Sequence, residues 1–122
     1  MISDSKLLCR LIQLNCIITD ESGYDDIFLK VNGKKVWPID KKQNPVPPGQ
    51  TSLDIELREI EAGTHMEVEI WDYDYISPND LLGTVKVYID EPGGPFITDM
   101  IANERETKRA RYTLEWEIDF DY

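Results

Sequence analysis

Cysteine, histidine and long apolar runs are nearly absent from this sequence. No stretch approaches the roughly 20 apolar residues that a membrane-crossing helix needs, so no transmembrane segment is expected. Residues 1–10 pass into a mixed, strand-like run, without the apolar core and small-residue cleavage site of a secretory signal. The two cysteines, Cys9 and Cys16, have an odd spacing. Along one strand this would put them on opposite faces about 23 Å apart, too far to bond. Reduced thiols fit a cytoplasmic setting. The lone His65 lacks the partners of a zinc site. No Ser-His or Cys-His arrangement with an orienting partner is present. Gly93-Gly94 lies between prolines and reads as a turn, not as a phosphate-cradling loop. Paired carboxylates can hydrolyse glycosides, but a small domain without long active-site loops offers no cleft for them. The expectation is therefore a protein that is not an enzyme.

Basic residues are the other shortage. Thirteen Lys and Arg face 24 Asp and Glu, for a formal charge of −11. Such a surface repels nucleic acid and bare anionic lipid, so no nucleic-acid partner is expected. An excess of carboxylates suits either a merely soluble acidic surface or hard cations that prefer oxygen ligands. Hydrophobic residues at 41% and charged residues at 30% describe a folded chain, and 122 residues fit one domain, 1–122, with no internal repeat or linker.

Strand signals dominate what is there. In the first run Arg10, Ile12, Leu14, Cys16 and Ile18 fall on one mostly apolar face. Ile27, Leu29 and Val31 alternate with polar neighbours, as do Leu53, Ile55 and Leu57, and Met66, Val68 and Ile70. Val85, Val87 and Ile89 follow the same rule, and so do Tyr112, Leu114, Trp116 and Ile118. Asn32-Gly33 is a hairpin turn signal ahead of a short 34–37 segment. Seven or eight short strands, each with one apolar face, argue for two packed antiparallel sheets. Pro38 to Gln50, with four prolines, reads as a loop, and 90–108 as an insertion with a helical turn around residues 97–105. Lys34, Lys35, Lys41 and Lys42 form the one basic cluster and read as a solvated edge.

The chemistry lies in the aspartates. Asp72 and Asp74 end an alternating run and point to one side, because side chains alternate with period two. Ser77-Pro78-Asn79 turns the chain and can return Asp80 toward them. Converging carboxylates with no basic residue between them repel, so a positive charge is required there. The spacing is not an EF-hand loop, since Ile76 stands at the fifth position and the glycine and terminal glutamate are missing. A second loop, 19–26, carries Asp20 and Asp26 across a turn that Gly23 can make. If both loops share one end of the sandwich, five aspartates with backbone carbonyls and water could hold two calcium ions; octahedral magnesium suits them less well.

These residues resemble the calcium loops of C2 domains. Asp20-x5-Asp26-Ile-Phe-Leu-Lys-Val is similar to the first loop, and Ile70-Trp-Asp-Tyr-Asp-x5-Asp-Leu-Leu-Gly to the third. The likeness runs from about Leu7 to Glu117, with Ile27 where the family usually has proline and Asp25 as an added charge. It implies an all-β, eight-stranded antiparallel C2-like sandwich with its calcium loops at one end and Asp20, Asp26, Asp72, Asp74 and Asp80 as ligands. One strand precedes the first loop, so the closing strand 111–118 would take the remaining place, as in the circularly permuted second topology of the family. The resemblance further implies calcium-dependent docking on phospholipid, peripheral to a membrane, with Tyr24, Tyr75 and Ile76 at the loop tips; Ile76 matches a position that often inserts into the membrane. The alternative for those tips is packing against a neighbouring loop or a protein partner, in a calcium-stabilised interaction or adaptor domain.

Overall fold

The computed structural model describes residues 6–102 and 109–122. Among the described residues nine strands follow in chain order: β1 (Lys6–Ile18), β2 (Asp25–Val31), β3 (Lys34–Trp37), β4 (Asn44–Val46), β5 (Gly49–Ile60), β6 (Thr64–Asp72), β7 (Asp80–Ile89), β8 (Gly93–Met100) and β9 (Arg111–Asp121). One sheet runs β5-β1-β9-β8 and the other β3-β2-β6-β7, with β4 also paired to β2. Neighbouring strands are antiparallel throughout. The apolar alternation explains the two layers. Leu29, Val68, Ile70 and Ile89 of one sheet meet Leu11, Leu14, Leu114 and Trp116 of the other in a common core, each fully buried aliphatic chain contributing about 1.5–3 kcal/mol. Asn32 and Gly33 both take positive φ, 50° and 83°, as the two-residue hairpin between β2 and β3 requires.

Closing strand β9 lies between β1 and β8, paired with β1 from Lys6↔Asp121 to Ile18↔Arg111. On the outer face, Arg10 of β1 reaches Glu117 of β9 at 3.0 Å and Glu56 of β5 at 3.3 Å. These exposed pairs hold register rather than add much stability.

Three sequence expectations are corrected. The 38–50 stretch is not all loop: β4 pairs with Asp25–Ile27 of β2, Val46 is fully buried, and β5 already starts at Gly49. Pro45 is tolerated because β4 is an edge strand, where a missing N–H costs no ladder bond. The helical turn around 97–105 is replaced by β8, which pairs with β9 and sets Phe96 opposite Trp116; residues 103–105 lie outside the described residues. Packing across the sandwich overrides weak local preference. Finally, the register of β1 slips between Leu11 and Gln13. This bulge shifts the alternation by one, so Cys9 and Cys16 both face the core while Arg10 faces outward. Both thiols are free, and burial pushes Cys9 up to about 12.

The sandwich is closed along its β7–β8 side by reciprocal backbone hydrogen bonds of 2.9 Å between Thr84 and Ile101. Gly83 makes that approach possible: a Cβ there would stand 2.8 Å from the Met100 carbonyl oxygen. The obstacle is backbone, which cannot swing aside. Gly83→Ala is therefore expected to cost about 1–3 kcal/mol, read as a lowered urea midpoint with an unchanged slope.

Candidate metal centre

Register places the site. Asp72, the last residue of β6, pairs with Ile27 of β2 on one side and with Asp80, the first of β7, on the other. The loops 19–24 and 73–79 therefore leave the sandwich at the same end. Backbone bonds clamp them: Tyr73 N–H donates to Asp26 O at 2.7 Å, and Asp26 N–H donates to Asp72 Oδ1 at 3.0 Å.

Two groups of carboxylates converge there. Asp20, Asp72 and Asp80 each present an oxygen within 4.8 Å of the others, and so do Glu21, Asp25 and Asp72. That span is about twice a calcium–oxygen distance, so one ion could touch all three oxygens of either group. Asp72 belongs to both. Among the described residues no salt bridge reaches Asp20, Glu21, Asp25 or Asp72. Arg109 spends its Nε–H on the Thr19 carbonyl at 2.9 Å, while its backbone N–H meets Asp20 Oδ1 at 3.3 Å.

The structure thus brings Asp20, Asp72 and Asp80 together, and it places Asp26 and Asp74 beside them in other roles. Asp74 accepts from Ile76 N–H, Ser77 N–H and Ser77 Oγ–H at 2.6–3.2 Å, shaping its own loop. Asp26 bears on the group mainly through its backbone and its charge. Sequence reasoning missed Glu21 and Asp25 as members. For Asp25 a signal existed: it shares odd parity with Ile27, Leu29 and Val31, the inward-facing set. It is fully buried and accepts from Asp20 N–H at 2.9 Å, Glu21 N–H at 2.8 Å and Tyr112 Oη–H at 2.7 Å. The Tyr112 phenol is raised by burial and by its bond to this carboxylate, so it remains a donor.

Crowding shows in the acids themselves. Asp72 is only 4% exposed. Loss of water, then the charges of Glu21, Asp25 and Asp26, push it up to about 7 against the opposing bond from Asp26 N–H. Asp26 is raised by dehydration and by Asp25. Glu21 is raised by dehydration and then by Asp25, Asp26, Asp20 and Asp74. All five predicted aspartates except Asp80 thus enter one electrostatic neighbourhood, and Asp80 has an oxygen within 4.8 Å of those of Asp20 and Asp72. Calcium's oxygen preference and tolerance of irregular geometry fit this donor set.

The loop tips divide. Tyr75 is held by Gln43 Nε2–H at 2.5 Å and by an edge-on contact with Tyr73 at 4.9 Å, although much of it remains exposed. Tyr24 is half-exposed, whereas Ile76 is 97% exposed. Tyr75 therefore packs partly on a neighbouring loop, and Ile76 stands clear.

No protein-family model matches the sequence. Ras GTPase-activating protein 4 of Mus musculus is 33% identical over 88 residues, which are 70% of this chain; the match spans only 11% of that protein. Among solved structures, the first C2 domain of plant extended synaptotagmin 1 superposes with TM-score 0.60 at 11% identity, covering 97% of this chain and 95% of that one. A structure described simply as a C2 domain gives 0.60 at 17% identity, covering 97% and 99%. Human GIVD cytosolic phospholipase A2 gives 0.57 at 16% identity, covering 95% of this chain and 17% of that one. The chain has the C2-domain fold: an all-β sandwich of two antiparallel sheets.

Two outcomes follow from the buried acids. Tyr112→Phe leaves the Asp25 carboxylate one donor short and is expected to cost about 1–3 kcal/mol in chemical denaturation. For Asp72 the folded-state value lies above the usual carboxylate range. The ion-free native state thus holds a proton that the unfolded chain has released, and stability falls as pH rises from about 4 to 7. Asp72→Asn keeps an oxygen for Asp26 N–H and removes that penalty. In chelator its melting temperature should match the parent near pH 4 and exceed it by several degrees at pH 8; equal melting curves at both pH values would contradict this.

Proposed function

We propose that the chain is a non-catalytic, calcium-binding C2 module that docks on phospholipid surfaces when calcium is present. The single observation that carries this reading is the convergence of Asp20, Asp72 and Asp80 with Glu21 and Asp25, Asp72 being common to both groups. The shared Asp72 supports two calcium positions, with Asp26 and Asp74 as further oxygens at the rim. The placement of β9 beside β1 supports assigning it to the permuted topology. Without ions this end projects concentrated negative charge and repels anionic headgroups. Bound calcium would offset that charge and offer open coordination positions to phosphate oxygens. Ile76, with Tyr24 and Tyr75 behind it, supplies apolar and amphipathic contact suited to the interface. Among the described residues no helix is long and apolar enough to cross a membrane, which is compatible with peripheral attachment.

A second reading, a calcium-stabilised adaptor without lipid contact, is favoured by the charge of −11, of which two calcium ions would offset only about four.

Calcium added to chelated protein should raise the melting temperature, and Asp72→Asn should abolish the rise. Because binding displaces the Asp72 proton, apparent affinity should increase with pH up to about 7 and then level off. Co-sedimentation with phosphatidylserine vesicles should require calcium, and the uncharged Ile76→Ser should weaken it about tenfold or more while leaving the calcium titration unchanged. Calcium binding without any vesicle binding would decide for the adaptor; no heat at millimolar calcium would remove both readings.

A further inference from the structure

At the opposite end of β7 from Asp80, ten residues and therefore about 30 Å away, the β7–β8 turn frames a recess of about 300 Å³. Its lining is aromatic and acidic together: Tyr88, Phe96, Trp116 and Ile118 with Asp90 and Glu91. The rings are held in place. Phe96 lies against Trp116 with centroids 4.7 Å apart, and Tyr88 is backed by His65 at 4.8 Å. The one polar atom of Trp116 is already satisfied, its indole N–H donating to Thr98 Oγ1 at 3.0 Å. Tyr88 and Phe96 nonetheless remain 54% and 41% exposed. Among the described residues, neither Asp90 nor Glu91 takes part in a salt bridge.

We propose that this recess receives an arginine side chain from a basic segment of a partner protein. Three properties select that occupant. A guanidinium stacks on exposed aromatic faces through cation–π attraction. Its N–H fork can donate to adjacent carboxylates, which a quaternary ammonium cannot do. The volume sits at the small end for ligand sites and suits one side chain rather than a larger molecule. Charge complementarity extends past the recess, since a chain of charge −11 attracts basic segments from a distance. The site does not depend on the acidic loops, and a module docked by those loops would present it away from the surface.

The test uses a short Gly/Ser peptide carrying one arginine, followed by ¹H–¹⁵N spectra of the whole chain in chelator. Matched peptides carry lysine or uncharged citrulline. Shifts should be confined to the amides of Tyr88, Asp90, Glu91 and Phe96 and the Trp116 indole, with lysine about fivefold weaker or more and citrulline silent. Tyr88→Ala should lower arginine affinity about fivefold or more. Asp90→Asn with Glu91→Gln, two exposed changes that leave the packed rings in place, should do the same. Shifts spread around Asp20 and Asp72, equal binding of lysine, or unchanged affinity in the double variant would overturn the proposal. So would choline chloride moving the same signals at lower concentration than the arginine peptide.

Discussion

The 2.7 Å hydrogen bond from Tyr112 to Asp25 organises the acidic end of the sandwich. Asp25 opens β2 in one sheet and Tyr112 stands near the start of β9 in the other, so the bond crosses between layers. The same carboxylate collects the N–H groups of Asp20 and Glu21, which sets the curvature of the loop after β1. Asp20 and Glu21 are thereby delivered over Asp72. An acid buried without such partners would be costly; with three donors it becomes the anchor on which the other carboxylates depend.

The arrangement crowds negative charge, and among the described residues no salt bridge reaches Asp20, Glu21, Asp25 or Asp72. Fold stability has to absorb it, and burial with like charge raises the Asp72 carboxyl to about 7, so it gives up its proton less readily than an ordinary carboxylate. Sites where burial and like charge are concentrated in this way are where binding chemistry tends to lie. The strands β6 and β7 supply the rigidity. Asp72 and Asp80 face each other as a register pair, so their separation is set by the ladder and not by a flexible loop.

Much of this was legible in the amino acids. Period-two alternation identified the inward faces of β2, β5, β6, β7 and β9, because side chains on a half-buried sheet have no other way to sort. Along β1 it held for Leu14 and Cys16 but missed Leu7, Cys9 and Leu11, because a bulge after Leu11 leaves no composition signal yet switches the inward face. It failed again at β4 and β8, whose prolines and glycines argue for loops while their edge positions tolerate both. At the site, spacing located the aspartates, but which oxygens meet is decided by hydrogen bonds over long sequence separations. Asp74 shows the difference: its position in the motif pointed inward, yet its oxygens serve Ile76 and Ser77.

That observation bears on how the loop could respond to a cation. Asp74 N–H is held by Asn79 Oδ1 at 2.9 Å while the Asp74 carboxylate holds Ser77, so the 73–79 loop is braced from within. A cation reaching Asp74 would meet a carboxylate already shared with its own loop, whereas Asp20, Asp72 and Asp80 lie within reach of a common centre. Those three carboxylates are therefore preorganised, while Asp74 is engaged within its own loop. Ile76 sits on that same loop, two residues from Asp74 and with its own N–H bonded to the Asp74 carboxylate. The acidic loop and the most exposed apolar side chain at this end of the protein are thus joined by one backbone-to-carboxylate hydrogen bond.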